Sequence, residues 1–297
     1  VDPSRAGATV VCPNPFYQIY EGAALLAGAE VAFANSDPAR NFAVDWRQID
    51  EATWARTQLI YVCSPGNPSG AVMPLDEWQA LFELSDKHGF VIASDECYSE
   101  IYFRQEAPLG GLEAAAKLGR SDFKNLIAFT SLSKRSNVPG LRSGFVAGDA
   151  ALLKKFLLYR TYHGSAMSPL VQAASVAAWG DEAHVVENRA RYRRKFAEVT
   201  PLLAEVLDVA LPDAGFYLWA GVPASFQPPG PAGARPAPRL AGGARAAGGC
   251  GRRELPGPVL LPAVGRLRRI PVRDALPRLL PATLGRGRGG GCRRVVR

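Results

Sequence analysis

Five short apolar runs fix what the first half of this chain can fold into: residues 8–12 (ATVVC), 59–64 (LIYVCS), 90–95 (FVIASD), 125–131 (NLIAFTS) and 144–148 (GFVAG). Each is too short for a helix and nearly unbroken in its apolarity, the pattern of strands buried on both faces in a parallel sheet. Between the second and third, residues 75–88 place Leu75, Trp78, Leu81, Phe82 and Leu84 mainly on one side of a helix. The alternation predicts an α/β fold: a large domain with a mostly parallel sheet flanked by helices. From residue 150 the pattern turns helical and ends in an apolar run, 215–222 (GFYLWAGV), which predicts the start of a second, smaller domain.

The charge divides the chain more sharply than its mean suggests. The net charge is +8, but residues 224–297 hold 15 Arg, no Lys, and only Glu254 and Asp274 against them. That segment carries +13 and the remainder −5, so a basic surface spread over the fold, and with it nucleic acid as a partner, is not expected. Arg, Pro, Gly and Ala dominate residues 224–297 without helical or strand periodicity. We read them as an aberrant, disordered tail of the kind a shifted reading frame produces. The expected organisation is a large domain at 1–160, connecting helices and an incomplete small domain at 161–223, and this tail at 224–297.

Five scattered cysteines, Cys12, Cys63, Cys97, Cys250 and Cys292, form no CxxC pair, so neither a disulfide framework nor a metal site is expected. No apolar run approaches membrane-spanning length, and the expected location is a reducing cytoplasm.

Polar residues with chemical potential cluster where the strands end, and in open α/β sheets that is where ligands bind. Lys134 follows the run 125–131 within SLSKRSNVPGLRSGF, a segment too rich in Ser, Pro and Gly for a helix interior. A lysine held in a cleft can form a Schiff base with a carbonyl compound. Ser131, Ser133 and Arg142 are groups that hold a phosphate, and no nucleotide-binding GxxxxGK[ST] loop is present. Ser131 to Lys134 also matches the S-x-x-K of serine acyl-enzymes, but the companion S-D-N and K-T-G motifs are absent. Asp95 ends the run 90–95, with Tyr98 three residues on. A buried carboxylate there needs a cationic or donor partner, and a protonated pyridine nitrogen would serve. Asn67, in SPGNPSG, follows the run 59–64, and the Asn67–Pro68 bond is a candidate for the cis form. Phe16 and Tyr17 stand at the start of a helix, where an aromatic face can stack on a flat ring. Taken singly, each has a blander reading: a surface lysine, a turn-capping aspartate, a core aromatic.

Taken together they resemble the aspartate-aminotransferase superfamily, the fold type I enzymes that use pyridoxal 5′-phosphate. The resemblance rests on SPGNPSG, SDECYSEI and SLSKRSNVPGLRSGF in that order, and covers residues 1–222. The wording of PNPFYQIYEGAALLAGAE and YRTYHGSAMSP is most similar to the N-succinyldiaminopimelate aminotransferase branch. The resemblance implies that Lys134 binds the cofactor's aldehyde covalently and that Asp95 keeps its pyridine nitrogen protonated. It implies further that Tyr98 and Asn67 hydrogen-bond its phenolic oxygen, that Tyr17 stacks on its ring, and that Ser131, Ser133 and Arg142 bind its phosphate. Lys134, Asp95 and Tyr98 would be the catalytic set. The implied reaction is amino-group transfer between an amino acid and a 2-oxo acid, in a homodimer. Members also carry a preceding segment with a Gly-Ser/Thr-x-Glu turn and a C-terminal Arg for the substrate α-carboxylate. Neither has a match here, since no R-[IV]-[AS]-[LF]-like strand is found after Pro223, so the chain is expected to be an inactive fragment. Three rival readings are another aminotransferase of the group, for aspartate, aromatic amino acids or kynurenine, an aminotransferase-like effector domain of a transcription regulator, and a non-functional gene remnant.

Overall fold

The computed structural model describes residues 1–2, 7–164, 166–221 and 259–262. Its centre is a seven-stranded sheet formed by β1 (Thr9–Asn14), β2 (Glu30–Asp37), β3 (Ala43–Val44), β4 (Thr57–Cys63), β5 (Val91–Asp95), β6 (Leu126–Ser131) and β7 (Gly144–Gly148). The spatial order is β3-β2-β1-β4-β5-β6-β7. The five inner strands run parallel, while β3 and β7 pair antiparallel at the two edges. All five apolar runs are strands, within a few residues of the expected bounds.

Helices cover both faces. In the same order of chain they are α1 (Ile19–Leu26), α2 (Glu51–Arg56), α3 (Leu75–His88), α4 (Gly111–Lys117), the single turn α5 (Leu132–Arg135), α6 (Ala150–Tyr162), α7 (Pro169–Trp179) and α8 (Ala183–Ala204). Successive residues of a strand face opposite ways. Val11, Ile60, Ile92 and Leu126 therefore pack with Trp78, Leu81 and Phe82 of α3, while Val10 and Cys12 pack with Tyr20 and Ala24 of α1. The span of α3 agrees with its periodicity. Asp76 and Glu77 lie in its first turn, Lys87 and His88 in its last, and Gly89 ends it at φ 75°, a sequence that suits the helix dipole and a left-handed cap.

Beyond the sheet, α8 packs Phe196 and Leu203 against Leu218 of β8 (Tyr217–Ala220), a small separate cluster. Val259–Pro262 forms β9, antiparallel to β8, within the stretch read above as an aberrant tail. Val-Leu-Leu is an apolar triplet inside an otherwise Arg-, Pro- and Gly-rich stretch, and a triplet suffices to complete a two-stranded ladder. The rest of the tail reading falls on residues 222–258 and 263–297, outside the described residues.

Candidate active site

Parallel register gathers the site. Cys63 pairs with Asp95, and Asp95 with Phe129, so β4, β5 and β6 end side by side. The loop after β4 carries Asn67, the end of β5 carries Asp95 and Tyr98, and the turn after β6 carries Lys134. The Asn67–Pro68 peptide is cis, as are Asn14–Pro15 and Ser64–Pro65. Gly70 closes this loop at φ 75°, where a Cβ would stand 2.4 Å from the Ala214 carbonyl oxygen. The backbone of residues 212–214 leaves room for glycine only.

The Lys134 amine lies 5.7 Å from the centroid of the Tyr98 ring and 5.8 Å from that of Phe216. No carboxylate lies within ion-pair distance of it among the described residues. Tyr98 is buried, and its hydroxyl lies 3.4 Å from Asn67 Nδ2, which donates to it. Burial, followed by the neighbouring Tyr217, raises the Tyr98 phenol well above its ordinary pKa, so it remains protonated.

Asp95 is half-buried. Its Oδ2 accepts a 2.6 Å hydrogen bond from the Tyr20 hydroxyl, and its Oδ1 a 3.2 Å bond from the Cys97 amide. Among the described residues it has no ion pair; the Tyr20 hydroxyl and the Cys97 amide hold it, the Cys97 thiol stands close by, and lone pairs remain for a cation. Tyr20 was not anticipated. It is buried, stacked on Tyr61 at 4.5 Å and 7°, and met edge-on by Tyr17 at 5.9 Å. Burial, with the Cys63 thiol and the Asp95 carboxylate close by, drives its phenol pKa far upward and fixes it as the donor. The Cys97 thiol is also raised, by burial first and then by Asp95, against an opposing influence of Lys134; it sits within electrostatic reach of both.

Ser131 is the N-cap of α5: its Oγ accepts from the Ser133 amide at 3.0 Å and lies 2.8 Å from the Ser133 hydroxyl. It has no hydrogen bond to Lys134 among the described residues, so the nucleophile–base contact of the acyl-enzyme reading is missing. Arg142, at φ 52°, is exposed and donates to the Pro139 carbonyl at 2.8 Å. Ser131 and Arg142 line a common cavity of about 650 Å³. Tyr17 meets this cluster edge-on through the Tyr20 ring.

Among the described residues the arrangement therefore offers an amine and a carboxylate without ion pairs, two phenols with one amide, and a hydroxyl and a guanidinium on one cavity. Those groups fit a flat, cationic heteroaromatic bearing a phosphate and an aldehyde.

The sequence profile described as "Aminotransferase class I and II" matches residues 4–235. An LL-diaminopimelate aminotransferase of Dehalococcoides mccartyi is 30% identical over 224 residues, which are 74% of this chain and 56% of the relative. A crystal structure of an aminotransferase from Neisseria meningitidis is 64% identical, with a TM-score of 0.71 over 75% of this chain and 56% of that one. Aminotransferase AspB of Helicobacter pylori is 36% identical, with a TM-score of 0.66 over 73% of this chain and 57% of its own. The chain thus spans a little over half the length of these relatives. On the strength of the profile, the sheet and the residues at its carboxyl edge, the chain belongs to the class I and II aminotransferases, a family dependent on pyridoxal 5′-phosphate.

Proposed function

We propose that this chain carries the cofactor-binding centre of an aminotransferase that moves an amino group between an amino acid and a 2-oxo acid. The observation that carries the reading is the Lys134 amine, over two aromatic rings with no ion pair among the described residues, in the turn after β6, next to the strand whose end carries Asp95, a carboxylate with donors but no ion pair among those residues. Lys134 would hold pyridoxal phosphate covalently, Asp95 its pyridine nitrogen, Asn67 and Tyr98 its phenolic oxygen, Tyr17 its ring face, and Ser131, Ser133 and Arg142 its phosphate. When bound, the group supplies an electron sink for charge developing at the substrate Cα. Asp95 keeps that sink effective by favouring the protonated nitrogen. The Lys134 Nζ moves the proton off the substrate Cα, its movement guided by the apolar faces of Tyr98 and Phe216.

For the substrate, the wording of the sequence supports N-succinyl-2-amino-6-ketopimelate with glutamate as donor. The names of several curated relatives support a second reading, free LL-diaminopimelate. Both belong to the diaminopimelate and lysine branch of amino-acid metabolism. The partner of the complete protein is a second copy of itself, and Leu157, Leu158 and Tyr162 on α6 are exposed, as an unpaired interface would leave them. A cytoplasmic site of action completes the reading; among the described residues no helix is long and apolar enough to cross a membrane.

The test is borohydride reduction of the chain incubated with pyridoxal phosphate, followed by peptide mapping. A stable adduct at Lys134, absent from Lys134→Ala, is expected. An adduct on another lysine, with Lys134 unmodified, overturns the assignment.

A further inference from the structure

A second cavity, of about 330 Å³, adjoins the Lys134 cluster, and Tyr20 and Asn67 belong to both. Two guanidinium groups, Arg40 and Arg104, and two carboxylates, Glu77 and Asp213, line it. Asp213 is already engaged: its Oδ2 accepts from Asn41 Nδ2 at 2.8 Å and from the Val72 amide at 3.2 Å. The side chains of Arg40, Arg104 and Glu77 make no hydrogen bond and no ion pair within 4 Å among the described residues. A further polar atom of the lining, the indole N–H of Trp46, is likewise without an acceptor, and Trp46 is only 8% exposed.

Glu77 and Arg40 influence each other without touching. Glu77 is half-buried, and burial raises its carboxyl pKa, with Asp76 adding to the rise and Arg40 opposing it. Opposite charges that face one cavity yet stand too far apart to pair leave a gap that a ligand carrying both signs can bridge. A simple carboxylate gains from the guanidinium and is repelled by Glu77; a simple ammonium meets the reverse. An ammonium and a carboxylate on one carbon satisfy both walls at once, and the guanidinium fork suits the two carboxylate oxygens.

We infer that this cavity binds the α-amino-acid head at the far end of the substrate, with the carboxylate on Arg40 and Arg104 and the ammonium on Glu77. The substrate class is then a diamino dicarboxylate with both amino groups free, one head at Lys134 and the other here. This rests on the aminotransferase reading and chooses within it: acylating the distal nitrogen removes the cation that Glu77 requires and leaves that carboxylate facing a neutral amide.

Calorimetric titration of the full 297-residue chain without cofactor tests the inference, with LL-2,6-diaminopimelate and its mono-N-succinyl derivative as probes. The free diamine is expected to bind at least tenfold more tightly than the acylated form. Glu77→Gln should erase that preference, and Arg40→Gln should weaken both ligands about tenfold. Both side chains lie at the cavity wall with no bond to the fold, so melting temperatures should stay at the wild-type value. Equal or tighter binding of the succinylated probe, no binding of either, or a preference that survives Glu77→Gln would each overturn the inference. The Lys134 adduct is read on the same preparations. Binding without the adduct sinks the aminotransferase reading, whereas the adduct without the binding preference sinks only the cavity.

Discussion

Tyr20→Phe removes one oxygen and should cost far more than a surface hydroxyl. The ring is buried and stacked on Tyr61, and phenylalanine keeps that packing. What disappears is the donor to Asp95. At 2.6 Å the contact lies in the range of hydrogen bonds from a hydroxyl to an ionised acceptor, worth about 1.5–3 kcal/mol net. Asp95 also accepts from the Cys97 amide at 3.2 Å and has the Cys97 thiol close by, but it has no ion pair among the described residues to take over from a lost hydrogen bond of this strength. Because the phenol pKa is raised, the proton stays on Tyr20 throughout the neutral range and the donor role does not titrate away. Urea unfolding of the cofactor-free wild type, Tyr20→Phe, Asp95→Ala and the double variant forms a mutant cycle that isolates the pair. A coupling energy of about 1.5–3 kcal/mol is expected. A coupling below about 0.5 kcal/mol, within the error of such cycles, would refute the claim that Tyr20 holds Asp95.

Three further outcomes follow from other parts of the fold. Burial pushes the Cys12 thiol up to about 12. Its thiolate fraction at pH 8 is then about a thousandfold below that of a free cysteine, and iodoacetamide should label it at least that much more slowly in the native than in the urea-unfolded chain; rates within tenfold would contradict this. Gly70→Ala places a methyl against the Ala214 carbonyl at positive φ and should lower stability by about 3 kcal/mol or more, read as a fall in melting temperature. Arg120 holds Asp86 by two bonds of 2.5 and 3.0 Å and lowers its pKa from 3.8. The folded value lies below the unfolded one, so the stabilisation is complete above about pH 4 and vanishes as pH falls through the folded value. Because Asp86 is substantially exposed, Arg120→Met should cost no more than about 1 kcal/mol at pH 7, and the gap should close in acid denaturation series below pH 4.

Strands buried on both faces announce themselves, and that is why the inner sheet could be read from the sequence. β2 could not: Glu-Val-Ala-Phe-Ala-Asn-Ser-Asp has its apolar residues at one end and polar ones at the other, with only Ala34 buried. It becomes a strand through its pairing with β1, a contact invisible to local pattern. The same division runs through the site. Asn67, Asp95 and Lys134 are polar residues at strand ends, where a core explanation fails, and they stand out. Tyr20 and Phe216 are aromatics in apolar company and read as packing. Only the meeting of α1 with the end of β5, 75 residues apart, shows that the Tyr20 hydroxyl has a partner. Glu77 stands in the first turn of α3, and its cavity is built largely from loops that follow other strands.

The turn that presents Lys134 shows how far position can depend on distant sequence. α5 has four residues, too few to pay the nucleation cost of a helix from its own hydrogen bonds. Its rigidity comes from α7 and α8. Asn188 Nδ2 lies 3.3 Å from the Lys134 carbonyl oxygen, and Asn188 Oδ1 accepts from Asn137 at 2.6 Å. The buried Arg135 donates to the Ala178 carbonyl at 2.7 Å, pairs with Glu182, and lies over the Trp179 ring. His184 Nε2 lies 2.8 Å from the Ser136 hydroxyl, and its other nitrogen meets Asp181. Four consecutive residues, 134 to 137, are each tied to the α7–α8 region, about fifty positions downstream. From sequence, residues 183–204 look like a charged, solvent-facing helix, because the residues that do this holding are the polar ones. α8 is therefore also the mount of the turn that carries Lys134, and a displacement of α8 cannot leave that turn where it was.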